Sequence, residues 1–117
     1  MNVYVAQGDF DKEYSEVIAA SHDLNQLVEM IKTRAMDITE HKRGDGRLKM
    51  TQYSFKYDEI RITVWNDGEE ALVCGLEARE DYPKTIAKYP FSEEPFEFPI
   101  TVELIKSRLE AVERDEE

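Results

Sequence analysis

Residues 53–70 read YSFKYDEIRITVWNDGEE, and the spacing of apolar side chains in this stretch decides the fold. Tyr53, Phe55 and Tyr57 stand at odd positions, whereas Ile60, Ile62 and Val64 stand at even ones. A strand turns successive side chains to opposite faces, so one uninterrupted strand cannot bury both sets on the same side. The parity demands a tight turn or a β-bulge around Asp58-Glu59. Trp65 is followed by Asn66-Asp67-Gly68, where glycine after Asn-Asp supplies the positive φ of a short hairpin loop. Residues 59 to 65 and 70 to 78 are then antiparallel partners.

Downstream, residues 79 to 94 are charged and contain Pro83 and Pro90, which predicts irregular structure with a short turn around Lys84 to Lys88. The next stretch, YPFSEEPFEFPI at 89–100, mixes aromatic, acidic and proline residues. Phe96, Phe98 and Ile100 share one parity, and Pro95, Glu97 and Pro99 share the other. That pattern predicts an edge strand with its prolines on one unpaired edge; an exposed aromatic-acidic docking segment is the alternative. A helix follows: Thr101 is the expected N-cap, Ile100 and Ile105 hold the staple positions, and Val102, Ile105, Leu109 and Val112 form its apolar stripe. Glu110 and Arg114 add an i,i+4 pair, and the tail from Arg114 to Glu117 is expected to fray.

Upstream, Asn2 to Gln7 and Tyr14 to Ala20 read as a pair of short strands with a turn at Gly8-Asp9. Ser21 or Asp23 then caps a helix whose apolar residues Leu24, Leu27, Val28, Ile31, Ala35 and Ile38 follow the 3.6-residue period, with Asp23 and Gln26 at capping-box spacing. Residues 39–47, TEHKRGDGR, contain no apolar side chain and read as a loop. These elements make an α+β single domain over residues 1–117, an antiparallel sheet of four to six strands with two helices packed against it.

The chain has 117 residues, 41% apolar and 35% charged, the composition of a globular domain with one core. Its 15 Lys+Arg against 26 Asp+Glu give a net charge of −11, a field that repels nucleic acid and anionic lipid and attracts basic partners. No segment approaches the roughly 18 apolar residues of a membrane span. With a single cysteine no intrachain disulfide forms, and a reducing, cytoplasmic setting is expected. Cys74 lies in ALVCGL, where a buried small hydrophobe with a raised pKa is the ordinary reading.

Catalytic and metal motifs are weak throughout. His22 and His41 flank the first helix and have neither zinc spacing nor a nucleophile beside them. Asp9-x-Asp11-x-Glu13 alternates oxygen ligands but lacks the glycine and closing glutamate of a calcium loop. No cofactor motif is present, and the expectation is a non-enzymatic chain without metal or cofactor. The basic run from His41 to Lys49 offers Lys42, Arg43, Arg47 and Lys49 as anion contacts, but without the glycine spacing of a phosphate loop. Cations after a helix C-terminus also complement its dipole, which is the plainer account of the run.

Acidity points to a protein-binding surface, in which carboxylates occupy a partner's basic cleft as a DNA mimic does. The candidates are Glu69, Glu70, Glu77, Glu80, Asp81, Glu93, Glu94 and Glu97, with the acidic tail from Glu113 to Glu117 adding charge. Val3-Tyr4-Val5, Glu13-Tyr14-Ser15 with Val17-Ile18, then Ser21 and a helix with Leu27 and Ile31, form a pattern that resembles small uncharacterised proteins of bacteria and their phages. The resemblance covers the first third of the chain. It implies a phage or mobile-element accessory protein and assigns no catalytic residue.

Together these readings favour a small acidic inhibitor or modulator of a host protein with a basic, nucleic-acid-binding surface. It would act as a monomer or homodimer, with no direct contact to nucleic acid or membrane. An immunity protein paired with a toxin shares the same physics. A nucleotide-handling enzyme using the 41–49 loop is the third reading.

Overall fold

A computed structural model of the chain describes residues 1–10 and 14–115. Among these the order is β1 (Asn2–Phe10), β2 (Tyr14–Ser21), α1 (Leu24–Arg34), β3 (Met36–Lys42), β4 (Leu48–Phe55), β5 (Glu59–Asn66), β6 (Glu69–Glu77), β7 (Thr85–Lys88) and α2 (Val102–Asp115). The fold is α+β, and its strands divide between two antiparallel sheets, one ordered β2-β1-β5-β6 and the other β3-β4-β7.

The parity change between Tyr57 and Ile60 is the passage from one sheet to the other. β4 ends at Phe55, the chain bends through Lys56–Asp58, and β5 begins at Glu59 in the larger sheet. Phe55, Tyr57 and Ile60 are all buried on either side of that bend. Its backbone is tied on both sides, because Asp58 N–H donates to the Asp9 carbonyl (3.0 Å) and Lys56 N–H to the Ala35 carbonyl (2.8 Å). The Tyr82 hydroxyl donates to the Tyr57 carbonyl (2.8 Å) within the core. At the next reversal, Asp67 (φ 52°) and Gly68 (φ 88°) form the two-residue hairpin loop expected of Asn-Asp-Gly, with Asn66 opposite Glu69.

The expected turn at Gly8-Asp9 is not there: β1 runs on to Phe10. Gly8 has a different role. A Cβ on it would lie 2.2 Å from the Tyr57 ring, so this strand position accommodates the ring only by lacking a side chain. In β2 the register slips between Ala6 and Gln7, leaving Ile18 as an extra, buried residue. Its carbonyl accepts from Arg34 Nη1 at 2.9 Å, so the bulge oxygen is satisfied by the last turn of α1.

Asp23 caps α1 by accepting from Asn25 N–H. The capping box takes another form: Gln26 accepts from the Ser21 hydroxyl (2.7 Å), which itself accepts from Asp23 N–H (3.0 Å). The helix ends at Arg34, four residues before the expected Ile38, and of the loop expected at 39–47 only 43–47 is one, because 39–42 belong to strand β3. Met36 is buried opposite Phe55, and the β-branched Ile38-Thr39 pair joins β3, leaving Ile38 64% exposed. Pairing with β4 overrides the helical period here.

Two more expectations change in the second sheet. Residues 85–88 are strand β7, paired with residues 51–54 of β4, not a turn. Residues 95–100 form no strand, yet their alternation holds: Phe96 stacks on Tyr53 at 4.1 Å, Phe98 on Phe55 at 5.6 Å, and Ile100 is fully buried. Prolines at 95 and 99 withhold the donors that a ladder needs, so the segment lies along the sheet through its rings alone. Ile100 and Ile105 then staple the start of α2, Thr101 caps it by accepting from Leu104 N–H (3.1 Å), and Arg114 pairs with Glu110 at 3.7 Å. Both helices bury their apolar stripes on the face of the larger sheet that carries Ala6, Ile60, Ile62, Cys74 and Leu76.

Two pairs of substitutions test this account by urea denaturation. Gly8→Ala should cost about 1–3 kcal/mol through overpacking against Tyr57, whereas Gly44→Ala, with no atom within 4 Å of its Cβ, should be near neutral. Ile31→Ala should cost about 2–5 kcal/mol, and Ile38→Thr less than about 0.5 kcal/mol. A large loss at Ile38 would return that residue to a buried helix face.

Candidate functional site

The larger sheet has a second face, opposite the helices. Register sets its rows: Val3–Trp65–Glu70, Val5–Thr63–Val73, Gln7–Arg61–Gly75 and Asp9–Glu59–Glu77 run across β1, β5 and β6. Val3, Val5, Val73 and Trp65 lie outside the buried cluster, and on neighbouring β2 Val17 is 62% exposed. The half of this face around buried Thr63 is apolar, with Glu70 in its outermost row, and beyond Gln7 and Arg61 the Asp9, Glu59 and Glu77 row closes the other end.

Side chains at the three-carboxylate end are held in place. Arg61 Nη2 donates to Asp9 Oδ2 at 2.8 Å, and that hydrogen bond, followed by the charge of Asp9, holds the guanidinium pKa above its ordinary value. Among the described residues, Asp9 Oδ1 is buried without a hydrogen-bond partner. Glu59 and Glu77 are directly opposite, a repulsive pairing, and Gly75 leaves room for the Glu59 carboxylate, since a Cβ there would lie 2.6 Å from its Oε1. An open cleft of about 1040 Å³ follows this end, lined by Asp9, Glu59, Arg61, Glu77, Arg79 and Lys84 among others. Lys84 pairs with Asp58 at 2.6 Å.

Arg79 stands at the lip of this cleft with φ 80°, a left-handed conformation uncommon outside glycine. The surrounding turn imposes it: Arg79 N–H donates to the Tyr82 carbonyl (2.7 Å), Asp81 N–H to the Glu77 carbonyl (2.9 Å), and Glu77 N–H to Asp81 Oδ2 (2.8 Å). On the helix side, the Tyr57 hydroxyl donates to Glu16 Oε1 at 2.5 Å. Burial first, and this carboxylate second, raise the Tyr57 pKa well above the ordinary phenol value.

The acidic candidates do not form one surface. Glu70 and Glu77 are on the open face, about 23 Å apart along β6. Glu69 adjoins the β5–β6 turn, where Asp67 pairs with the terminal amine of Met1 at 3.3 Å. Glu80 is exposed in the turn after β6, but Asp81, its side chain 5% exposed, is committed to Arg108 and to Glu77 N–H. Asp81 is therefore a structural group. Glu93, Glu94 and Glu97 lie on the segment beside the smaller sheet. Asp11, Glu13, Glu116 and Glu117 fall outside the described residues.

Lys42, Arg43, Arg47 and Lys49 do come together, at the tip of the β3–β4 hairpin and not after a helix. Neither they nor their neighbours line the cleft. His22 lies near Asn2, whose carbonyl is 3.0 Å from its Nδ1, and His41 is on the hairpin beside Gln52. Cys74 is buried on the core face. The structure thus separates both histidines and the thiol. Of the aromatic stretch 89–100, Phe96 and Phe98 pack inward, whereas Phe91 is 83% exposed and stacks on half-exposed Tyr89 at 5.8 Å.

Glu59, Arg61, Trp65 and the valines of the open face were not singled out as site residues by the sequence, and Asp9 only within the acidic series weighed for calcium. Odd parity through Glu59, Arg61, Thr63 and Trp65 marks the non-core side of β5. The pairing that sets Val3, Val5 and Asp9 beside them joins residues fifty or more positions apart and has no local signal. No family model, curated protein or solved structure matches the chain.

Burial, opposed by the Ile62 backbone and the Arg108 charge, raises the Cys74 pKa to about 11 from 9.0. At pH 8 the native thiol should react with an aromatic disulfide reagent at least about a hundredfold more slowly than the urea-unfolded chain. Because its folded pKa is the higher one, this group's contribution to stability is complete below pH 9 and should fade between pH 9 and about 11. Fast native labelling at pH 8 would contradict the buried placement.

Proposed function

We propose that the chain is a non-enzymatic protein-binding module that docks the open face of its larger sheet on a basic surface of a larger partner. The carrying observation is the layout of that face, an apolar half of Val3, Val5, Val73 and Trp65 that is bordered by Glu70 and faces, across Gln7 and Arg61, the Asp9, Glu59 and Glu77 row. Interfaces bury an apolar centre inside a polar rim, and the sign of that rim selects the partner. Here the rim is acidic, and so is the chain, at −11.

A partner carrying Lys and Arg around an apolar patch fits this face. A nucleic-acid-binding protein offers such a surface, and occupying it would block its own ligand, which is the action of a small inhibitor or modulator. The free edge of β6 begins and ends in glutamate, which favours a face-on dock over strand addition.

Affinity capture from the native host at 50 and 300 mM salt, with mass spectrometry, tests the reading. A basic partner should be retained by the wild type, released at the higher salt, and lost with Val5→Asp or with Glu59→Lys/Glu77→Lys. Glu93→Lys/Glu94→Lys should leave capture intact. Partners retained equally by every face variant would reject the docking face.

A further inference from the structure

The β3–β4 hairpin extends beyond its sheet. β7 pairs with residues 51–54 of β4, so among the described residues 41–50 form a two-stranded ribbon with no third strand beside it. Met36 and Phe55 bury its base. Asp37 to Glu40 are exposed along β3, and the molecule measures 58 Å in its longest dimension against 32 and 23 Å in the others.

The tip is closed by a defined turn. Arg43 N–H donates to the Arg47 carbonyl (2.7 Å), Gly46 N–H to the Arg43 carbonyl (2.9 Å), and Gly46 sits at φ 85°. This is a three-residue hairpin loop ending in a left-handed glycine. Asp45, the one acid in the tip, is spent internally: its Oδ1 accepts from Arg47 N–H (3.0 Å) and its Oδ2 lies 3.8 Å from Arg47 Nε. Lys42, Arg43 and Lys49 have no carboxylate within 4.0 Å among the described residues. Four cations against one acid give residues 41–49 a local charge of +3 in a chain of −11.

Net charge alone argues against nucleic acid, but the ribbon's length changes that balance. From the last row covered by β7, Glu40–Thr51, to Asp45 is about 15 Å of extended chain. The screening length at physiological salt is about 8 Å, so the tip is felt mainly through its own cations. Phe96 packs on Tyr53 and Phe98 on Phe55, so the segment approaches the base of the arm as it proceeds, and Glu93 and Glu94, which precede it, lie on its tip-ward side, two acids against the +3 of residues 41–49.

We propose that this ribbon is a contact arm for duplex DNA, entering the major groove with Lys42, Arg43, Arg47 and Lys49 against the phosphate backbone. Two strands about 4.8 Å apart, with their side chains, match the ~12 Å width of that groove. The major groove of duplex RNA is too narrow and deep to admit them. No base-reading constellation is built at the tip, so the contact is sequence-independent. This goes beyond the proposed protein-binding face and uses none of its residues.

Fluorescence anisotropy with a labelled 20-base-pair DNA duplex of mixed sequence tests the arm directly. Binding is expected at 50 mM salt and should weaken about 20- to 50-fold at 150 mM, as three to four phosphate contacts dictate. Lys42→Glu/Arg43→Glu/Arg47→Glu/Lys49→Glu should abolish it with an unchanged melting temperature. The milder Arg43→Ala/Lys49→Ala should reduce the slope of log K against log salt by about 2. Lys106→Glu, on an exposed position of α2, should bind as the wild type does. Absence of binding at 50 mM salt, loss equal in Lys106→Glu, or equal affinity for an RNA duplex of the same sequence would overturn the proposal.

Discussion

The Tyr57 ring lies on the bare backbone of Gly8, and the rest of the architecture depends on that contact. It fixes where the chain leaves the three-stranded sheet and enters the four-stranded one, because Tyr57 must point into the core on one side of the bend and Ile60 on the other. The hydroxyl of Tyr57 reaches Glu16 on β2, and its carbonyl accepts from Tyr82, so one residue ties four segments of chain together. Core-facing positions of β1, β5 and β6 are set by this anchoring, and the remaining positions form the open face by alternation.

Dividing the strands between two sheets also divides the charge. Carboxylates of the larger sheet gather at the ends of its open face, while the hairpin of the smaller sheet carries most of its cations to a tip beyond the third strand. An average charge of −11 conceals this polarity. The two surfaces have opposite sign and sit on different sheets, which is why the partners proposed for them differ, a basic protein for one and a phosphate backbone for the other. Screening makes the separation effective, since charges more than a Debye length apart in water interact little.

Local signals were legible where a short stretch contains its own explanation. The Asn-Asp-Gly hairpin, the caps at Asp23 and Thr101, the staple of Ile100 and Ile105 and the burial of Cys74 each follow from a few adjacent residues. Among the acidic candidates, the sequence ranked Asp81 with Glu70 and Glu77, although Arg108, 27 residues away, had already claimed it. Exposure of a carboxylate is decided by what the fold brings beside it, and charge composition carries no information about that.

The sequence by itself determined the class of fold, the change of parity between Tyr57 and Ile60, the start of each helix and the presence of one basic run in an acidic chain. Periodicity and capping act over a few residues, within reach of a linear reading. Tertiary structure alone decided that Met36 to Lys42 leave the helix for a strand, that Thr85 to Lys88 pair with β4, and that Phe96 and Phe98 pack without a ladder. It also set Asp9, Glu59 and Glu77 in one row and carried the basic run to the end of an arm. In each case the deciding partner lies outside the local stretch, and the burial or hydrogen bonding it supplies outweighs the fraction of a kcal/mol per residue by which local propensity prefers another conformation.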